Sequence, residues 1–292
     1  MVSKIPNTLL IFGYGYSAQV LGQQLHAKGW RVLGTTRSAT KADAMRACGI
    51  TPIIWPGNDI LGALAGATHI LISAAPNANG DPVLSVLSAE IQRRAAQYAW
   101  LGYLSTTAVY GDRNGGWVDE NSSLTPATKR GAERVAAEHA WLQLRIDHAL
   151  PVHIFRLAGI YGPNRGPFAK LRAGTARCII KKGQVFSRIH VEDIAQVLQA
   201  SIRQPNAGAI YNVCDNNPAP PELVMAYAAK VLGLPVPPSE PFDQAEMTLM
   251  ARSFYAESKK VSNRRILDEL GVTLQYPDYK SGLDAQIAAE ST

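Results

Sequence analysis

Apolar residues fall into short runs of strand character separated by stretches with helical spacing. The run Thr8–Phe12 stops at Gly13, and from Ser17 onward Val20, Leu21 and Leu25 recur on one helix face. Segment 29–37 reads as a second strand, reached through a helix-ending glycine, Gly29. Ile50–Ile54 reads as a third, with Pro52 suiting a sheet edge or a strand start. Thr68–Ser73, Leu101–Ser105, Pro151–Leu157 and Ala209–Val213 continue the series. Long helices are predicted over 82–100 and 127–147, and shorter ones over 168–177 and 191–202. The last clear helix is predicted over 258–270, ended by Gly271. Residues 112–126 are polar and glycine-bearing, so they read as a loop over a site. Proline becomes dense from Pro218 to Pro241, marking a lobe of short helices. Strands alternating with helices predict an α/β fold, a doubly wound parallel (Rossmann) sheet with a smaller split C-terminal lobe. The expected division is 1–165 with 188–214 for the sheet domain, and 166–187 with 215–292 for the lobe.

The first strand, turn and helix carry Gly13-x-Gly15-x-x-Ala18. That order of elements makes a dinucleotide site. Gly13 permits the tight turn, Gly15 lets backbone approach a diphosphate, and the methyl of Ala18 still allows close helix packing. With Tyr16 and Ser17 they open a helix whose free N–H groups and positive dipole end face phosphates. The alternative is a glycine turn in an ordinary βα unit. An NAD-preferring site carries an acid about 20 residues beyond the glycines. Thr36, Arg37 and Ser38 stand there instead, and the next acid is Asp43. Arg37 can pair with a 2′-phosphate, which points to NADP rather than NAD. Otherwise it is solvated, or stacks on adenine without choosing a cofactor. Small residues just past the fourth strand, Ala74, Ala75 and Pro76, let a ligand lie close.

Composition narrows the function classes. The 292 residues are 47% hydrophobic and 18% charged, enough for a sizeable core. The net charge of +6 suits anionic ligands but is dispersed: Lys181-Lys182, Lys259-Lys260 and Arg264-Arg265 are short pairs, not a nucleic-acid stripe. Nucleic-acid partners are not expected. Cys48, Cys178 and Cys214 are sparse and odd in number, which argues for a reducing compartment and inert thiols. The chain start lacks a signal peptide's charged opening and apolar centre, and no apolar run reaches bilayer length. The expected location is the cytoplasm, without a membrane partner.

Several further segments, taken in order, resemble the extended short-chain dehydrogenase/reductase family, in its epimerase/dehydratase branch. They are Leu104–Gly111 (LSTTAVYG), Phe155–Pro163 (FRLAGIYGP), Arg188–Ala195 (RIHVEDIA), Tyr211–Val213 and Ser258–Asn263. The resemblance spans nearly the whole chain, and its details are similar to the atypical, YeeZ-like group. It implies an NAD(P)-binding oxidoreductase or epimerase acting on a small molecule between the sheet's carboxyl edge and the lobe. It also implies a homodimer paired through the helices near 82–100 and 127–147. Thr106 stands where the family has a catalytic Ser or Thr; the alternative is a hydroxyl capping local backbone.

The sequence departs from the family at Tyr-x-x-x-Lys. That spacing puts a tyrosine and the lysine that lowers its pKa on one helix face. The matching stretch here has Arg130 for the tyrosine and Arg134 for the lysine, and no tyrosine lies between Tyr110 and Tyr161. Arginine stays protonated, so it is a very poor general acid or base. Arg130 can hold a substrate carboxylate or phosphate, and Arg134 can supply a positive charge beside the cofactor. Both can equally lie on a solvated face, with Arg134 pairing Glu138. Substitute proton donors are Tyr110, usually structural in the family, and Glu120 on the covering loop. His190 is expected to start its helix; Arg188 meets a substrate phosphate or pins the lobe by a salt bridge. Two functions follow: an NADP-dependent reductase or epimerase on a small substrate, with nucleotide sugars one class, or a non-catalytic NADP(H)-responsive regulatory protein.

Overall fold

The structure, a computed structural model, describes residues 7–290. The chain begins with β1 (Thr8–Phe12), α1 (Tyr16–Ala27), β2 (Arg31–Thr36), α2 (Ala39–Ala47), β3 (Thr51–Ile54) and α3 (Leu61–Gly66). Next come β4 (His69–Ile72), α4 (Leu84–Arg93), β5 (Trp100–Thr106), β6 (Trp117–Val118), α5 (Lys129–His148) and β7 (Val152–Leu157). These lead to β8 (Gly159–Tyr161), α6 (Pro167–Arg172), β9 (Cys178–Ile180), β10 (Arg188–His190), α7 (Val191–Arg203) and β11 (Ile210–Val213). The last elements are α8 (Pro221–Val231), β12 (Ser239–Pro241), α9 (Leu249–Phe254), β13 (Lys260–Val261), α10 (Arg264–Asp268) and α11 (Tyr279–Glu290).

Seven strands form one sheet in the order β11-β7-β5-β4-β1-β2-β3. All five side chains of β1 are buried, as a strand covered on both faces requires. Leu10 lies opposite Leu33 of β2 and Ile70 of β4, in parallel register. The chain winds outward from β1 to β3 and resumes at β4 on the other side of β1. That reversal is the topological switch point of a Rossmann-like sheet. Pro52 pairs opposite Gly34 on β3, the edge strand, where a missing ladder donor costs least.

The chain packs as two compact units. The first comprises residues up to Ser105 with 133–155 and 195–210. In its core, Leu10, Phe12, Ile70 and Leu101 of the strands meet Leu87 and Ile91 of α4 and Trp141 of α5. The second comprises 106–132, 156–194 and the residues from Tyr211 onward. There Tyr161, Phe168, Val224, Ala228, Tyr279 and Leu283 form a smaller core.

Two predicted helices differ. The helix expected over 82–100 is only α4, because the Asp81 carboxylate takes the N–H groups of Val83 and Leu84 at 2.9 and 3.0 Å and sets its start. At the far end a 3₁₀ turn, Ala95–Gln97, breaks the helix. Trp100 can then head β5, fully buried, with its indole N–H on Ser201 Oγ at 3.0 Å. The helix expected over 258–270 begins only at Arg264. The N–H groups of Ser258, Lys260 and Val261 are committed to Asp112 Oδ1, Gly116 O and Ser187 Oγ at 2.7, 2.9 and 3.0 Å, which holds that stretch extended. A further helix, α11, follows Gly271. The loop expected over 112–126 contains β6, which pairs in parallel with β13.

Three buried histidines give the fold a pH dependence. Burial pushes His69, His153 and His190 each down to about 4. His153 accepts the Asn206 N–H at 2.9 Å, a bond that needs the neutral ring. Below an unfolded pKa near 6.5 the unfolded chain takes up protons that the native rings refuse, so stability falls as the pH drops from about 6.5 toward 4. Each buried ring should cost about 2 kcal/mol at about pH 5. Asp215, which burial raises to about 7, acts in the opposite sense over the same range, so the histidine part is read as a difference: the loss in urea midpoint between about pH 7.5 and 5 should be smaller in His153→Gln than in the wild type.

Candidate functional site

In the first unit, the turn after β1 is built around Gly13, at φ +85°. A Cβ there would sit 3.0 Å from the Ala74 amide nitrogen and 3.2 Å from its Cα, so a side chain would have to displace backbone as well as adopt a strained φ. Gly13 N–H donates to Thr35 Oγ1 at 2.8 Å and Tyr14 N–H to Thr35 O at 2.9 Å, which ties the turn to β2. Gly15 caps α1 without a side chain, its carbonyl accepting from Gln19 N–H at 2.8 Å. A Cβ on Gly15 would meet only Gly13 O, at 3.9 Å, so the space above the helix opening is clear. Ser17 and Ala18 are buried beneath it and Tyr16 is half-buried. The first turn of a helix leaves N–H groups without intrahelical partners, and its dipole favours an anion. The cradle therefore fits a diphosphate.

One device of this unit escaped the sequence reading. The Tyr14 ring is buried against two glycines: a Cβ on Gly22 would lie 2.8 Å from its Cε2, and one on Gly34 2.7 Å from its Cδ2. Isolated glycines inside a helix and a strand were the available signal.

At the end of β2, Ser38 Oγ caps α2 by accepting from Lys41 N–H at 3.3 Å, and Ser38 N–H donates to Thr36 Oγ1 at 3.2 Å. Arg37 between them is exposed and has no hydrogen bond or ion pair among the described residues. Asp43 pairs with Arg46 at 2.6 Å. Beyond β4, Ala74 and Pro76 are half-buried and Ala75 is exposed. Arg134 is half-buried; it donates to Leu104 O and to Tyr103 Oη, and lies 5.7 Å from the Tyr103 ring centroid. One turn further along α5, buried Glu138 accepts from Ser105 Oγ. These two contacts tie α5 to the end of β5, and neither was anticipated.

In the second unit, a 3₁₀ turn over Thr107–Tyr110 follows Thr106. Thr106 Oγ1 accepts the Ala108 N–H at 3.3 Å, which leaves its own proton to donate elsewhere. Tyr110 is fully buried, and its hydroxyl donates to Asn212 Oδ1 at 2.7 Å and accepts from Arg156 Nη1 at 2.9 Å. Burial pushes that phenol up to about 12. Glu120 takes the Asn212 N–H at 2.7 Å, and burial raises its carboxyl. Arg130 is exposed and has no hydrogen bond or ion pair among the described residues. Its neighbour Gly131 is packed on the turn: a Cβ there would lie 3.0 Å from Ala108 O. Arg188 donates to the carbonyls of Phe186 and Ala219 at 2.9 and 3.0 Å, so backbone oxygens hold it. His190 Nδ1 accepts the Glu192 N–H at 3.3 Å at the start of α7. Among the described residues no group of three His, Cys, Asp or Glu side chains could hold a metal ion. No described helix is long and apolar enough to cross a membrane.

The family model described as NAD dependent epimerase/dehydratase matches residues 77–214. Protein YeeZ of Escherichia coli is 30% identical over 288 residues, spanning 92% of this chain and 96% of its own. This chain belongs to the NAD-dependent epimerase/dehydratase family. A conserved protein of Silicibacter pomeroyi DSS is 57% identical and superposes with a TM-score of 0.92 over 97% of this chain and 99% of that one. At 18% identity, a human epimerase family protein solved with NADPH shares the fold, with a TM-score of 0.76 over 96% of this chain and 99% of its own. The dTDP-glucose 4,6-dehydratase of Bacillus anthracis, solved with NAD, shares it too: 16% identity, TM-score 0.78, covering 98% and 96%. The chain is thus an NAD(P)-binding protein of this family.

Proposed function

We propose that the chain binds NADP(H) at the turn after β1 and acts as an NADP-dependent reductase or epimerase on a small substrate, with nucleotide sugars the first class to try. The observation that carries this is the cradle itself: Gly13 at a positive φ and tight against the Ala74 backbone, and open space above Gly15. The amides of Gly15, Tyr16, Ser17 and Ala18 would take the diphosphate. Exposed Arg37, with Thr36 and Ser38, would take the 2′-phosphate. Ala74, Ala75 and Pro76 leave room for the rest of the cofactor, and Arg134 keeps a fixed positive charge at the end of β5. A bound nicotinamide supplies or accepts a hydride. Thr106, its oxygen already holding the Ala108 amide, would donate a hydrogen bond to a substrate carbonyl or alcohol oxygen and keep its proton. Arg130, permanently charged, binds an anionic group of the substrate rather than exchanging protons. Tyr110 acts as a brace, since its hydroxyl has both a donor and an acceptor partner.

The exchange of the tyrosine and lysine for Arg130 and Arg134 favours a second reading, a non-catalytic NADP(H)-responsive regulatory or binding protein. Turnover separates the two. The protein is mixed with NADPH and a panel of carbonyl compounds and nucleotide sugars, following absorbance, with epimers read by NMR. The first reading expects turnover on one class. Thr106→Ala should then lower it about a hundredfold while NADPH affinity holds. Tyr110→Phe should leave turnover unchanged and cost about 1 kcal/mol of stability, read by urea unfolding. NADPH binding without turnover on any class leaves the second reading; no NADPH binding removes both.

A further inference from the structure

The second unit contains an open pocket of about 440 Å³ that the cofactor reading does not use. Trp117 and Val118 of β6 and Val261 of β13 form its apolar wall, and Asn216, Asn263 and Arg264 its polar side. The volume lies in the usual range for small-molecule sites, roughly 300–1,000 Å³.

The chemistry of the polar side is set by one hydrogen bond. Asn263 Nδ2 donates to Cys214 O at 2.9 Å and to Asn216 Oδ1 at 2.8 Å. Both of its N–H groups are then spent, and both amides are fixed in orientation. What remains is the Asn263 Oδ1 acceptor beside the Asn216 Nδ2 donor, neither with a partner among the described residues. Asn263 is only 8% exposed, and Asn216 is held by its own N–H on Pro277 O at 2.9 Å, so the pair is preorganised. On the apolar side Trp117 is 62% exposed, with Lys260 Nζ 5.8 Å from its ring centroid. A large ring left in water beside a cavity is a stacking platform. Charge narrows the ligand further: Asp119 lines the pocket with Arg264, Lys260 stands over Trp117, and burial raises the Asp215 carboxyl to about 7, so charges of both signs meet there and no single sign selects an ion. Asp215 is 1% exposed and its Oδ2 has no hydrogen-bond partner among the described residues.

We propose that this pocket binds a small neutral ring compound that lays one face on Trp117 and presents a donor and an acceptor side by side to Asn263 and Asn216. The vicinal hydroxyls of a monosaccharide and the amide edge of a nucleobase both have that chemistry.

The test titrates the full chain with D-glucose, D-galactose, uridine and adenosine, by saturation-transfer NMR and calorimetry, with NADPH present in excess to fill the cofactor cradle. Trp117→Ala and Asn216→Asp are measured alongside; both positions are exposed, so both variants should fold and bind NADPH as the wild type does. Binding of a sugar or of a nucleoside, weakened about tenfold in each variant, supports the site and identifies its source. Failure of all four to bind at millimolar concentration overturns it. Binding that both variants leave unchanged overturns it equally.

Discussion

Gly13→Ala should cost about 2 kcal/mol of stability and weaken NADPH binding roughly thirtyfold. The backbone at Gly13 has φ +85°, where a side chain costs about 1–2 kcal/mol. The added carbon would also lie 3.0 Å from Ala74 N and 3.2 Å from both Ala74 Cα and Ser73 C. All three are backbone atoms at the end of β4, and no rotamer change can move them. Relief must come from shifting the turn, which moves the N–H groups at the opening of α1. Urea unfolding and calorimetry read the two losses. Gly15→Ala is the control: its φ is −102° and its nearest neighbour would be 3.9 Å away, so the fold should hold. Affinity alone should fall, because the methyl would occupy the space given to the diphosphate. A Gly13→Ala variant that bound NADPH as tightly as the wild type would detach the ligand from this turn.

Gly111→Ala should be more damaging to the fold, by about 4 kcal/mol, or about 10 °C in Tm. Gly111 has φ +69°, and a Cβ there would be 1.9 Å from Thr125 O, well inside contact. The surroundings cannot yield cheaply. Thr125 Oγ1 donates to Tyr110 O at 3.0 Å, and Lys259 Nζ donates to Gly111 O at 2.8 Å. That lysine is itself buried beside Glu257. The substitution thus loosens the turn that carries Thr106 and Tyr110 together with the loop over 112–126. Scanning calorimetry measures it, and an unchanged Tm would mean that the turn is not held as described.

What could be read from the sequence was what short-range pattern and turn chemistry specify. The run Thr8–Phe12, the glycine turn, α1 and the edge placement of Pro52 follow from period, from φ preference and from proline's missing donor. Features decided by distant partners were hidden. Residues 258–261 have helical composition, yet Ser258 answers to Asp112, 146 positions earlier. In the candidate site, the tight turn at Gly13 was legible because its backbone chemistry is local. The state of Tyr110 was not: its partners, Asn212 and Arg156, lie 102 and 46 residues away. Nor was that of Arg134, which reaches the Leu104 carbonyl. Arginine at position 130 was visible as a departure, and its exposure is what the fold adds.

Calorimetric titration with NADPH and NADH, on the wild type and on Arg37→Asp, bears most directly on the cradle and the cofactor assigned to it. NADPH should bind, and bind tighter than NADH, by the worth of a charged hydrogen bond, about 1.5–3 kcal/mol. The substitution should reverse the order. Wild-type protein that bound neither coenzyme, or a preference indifferent to residue 37, would contradict that assignment.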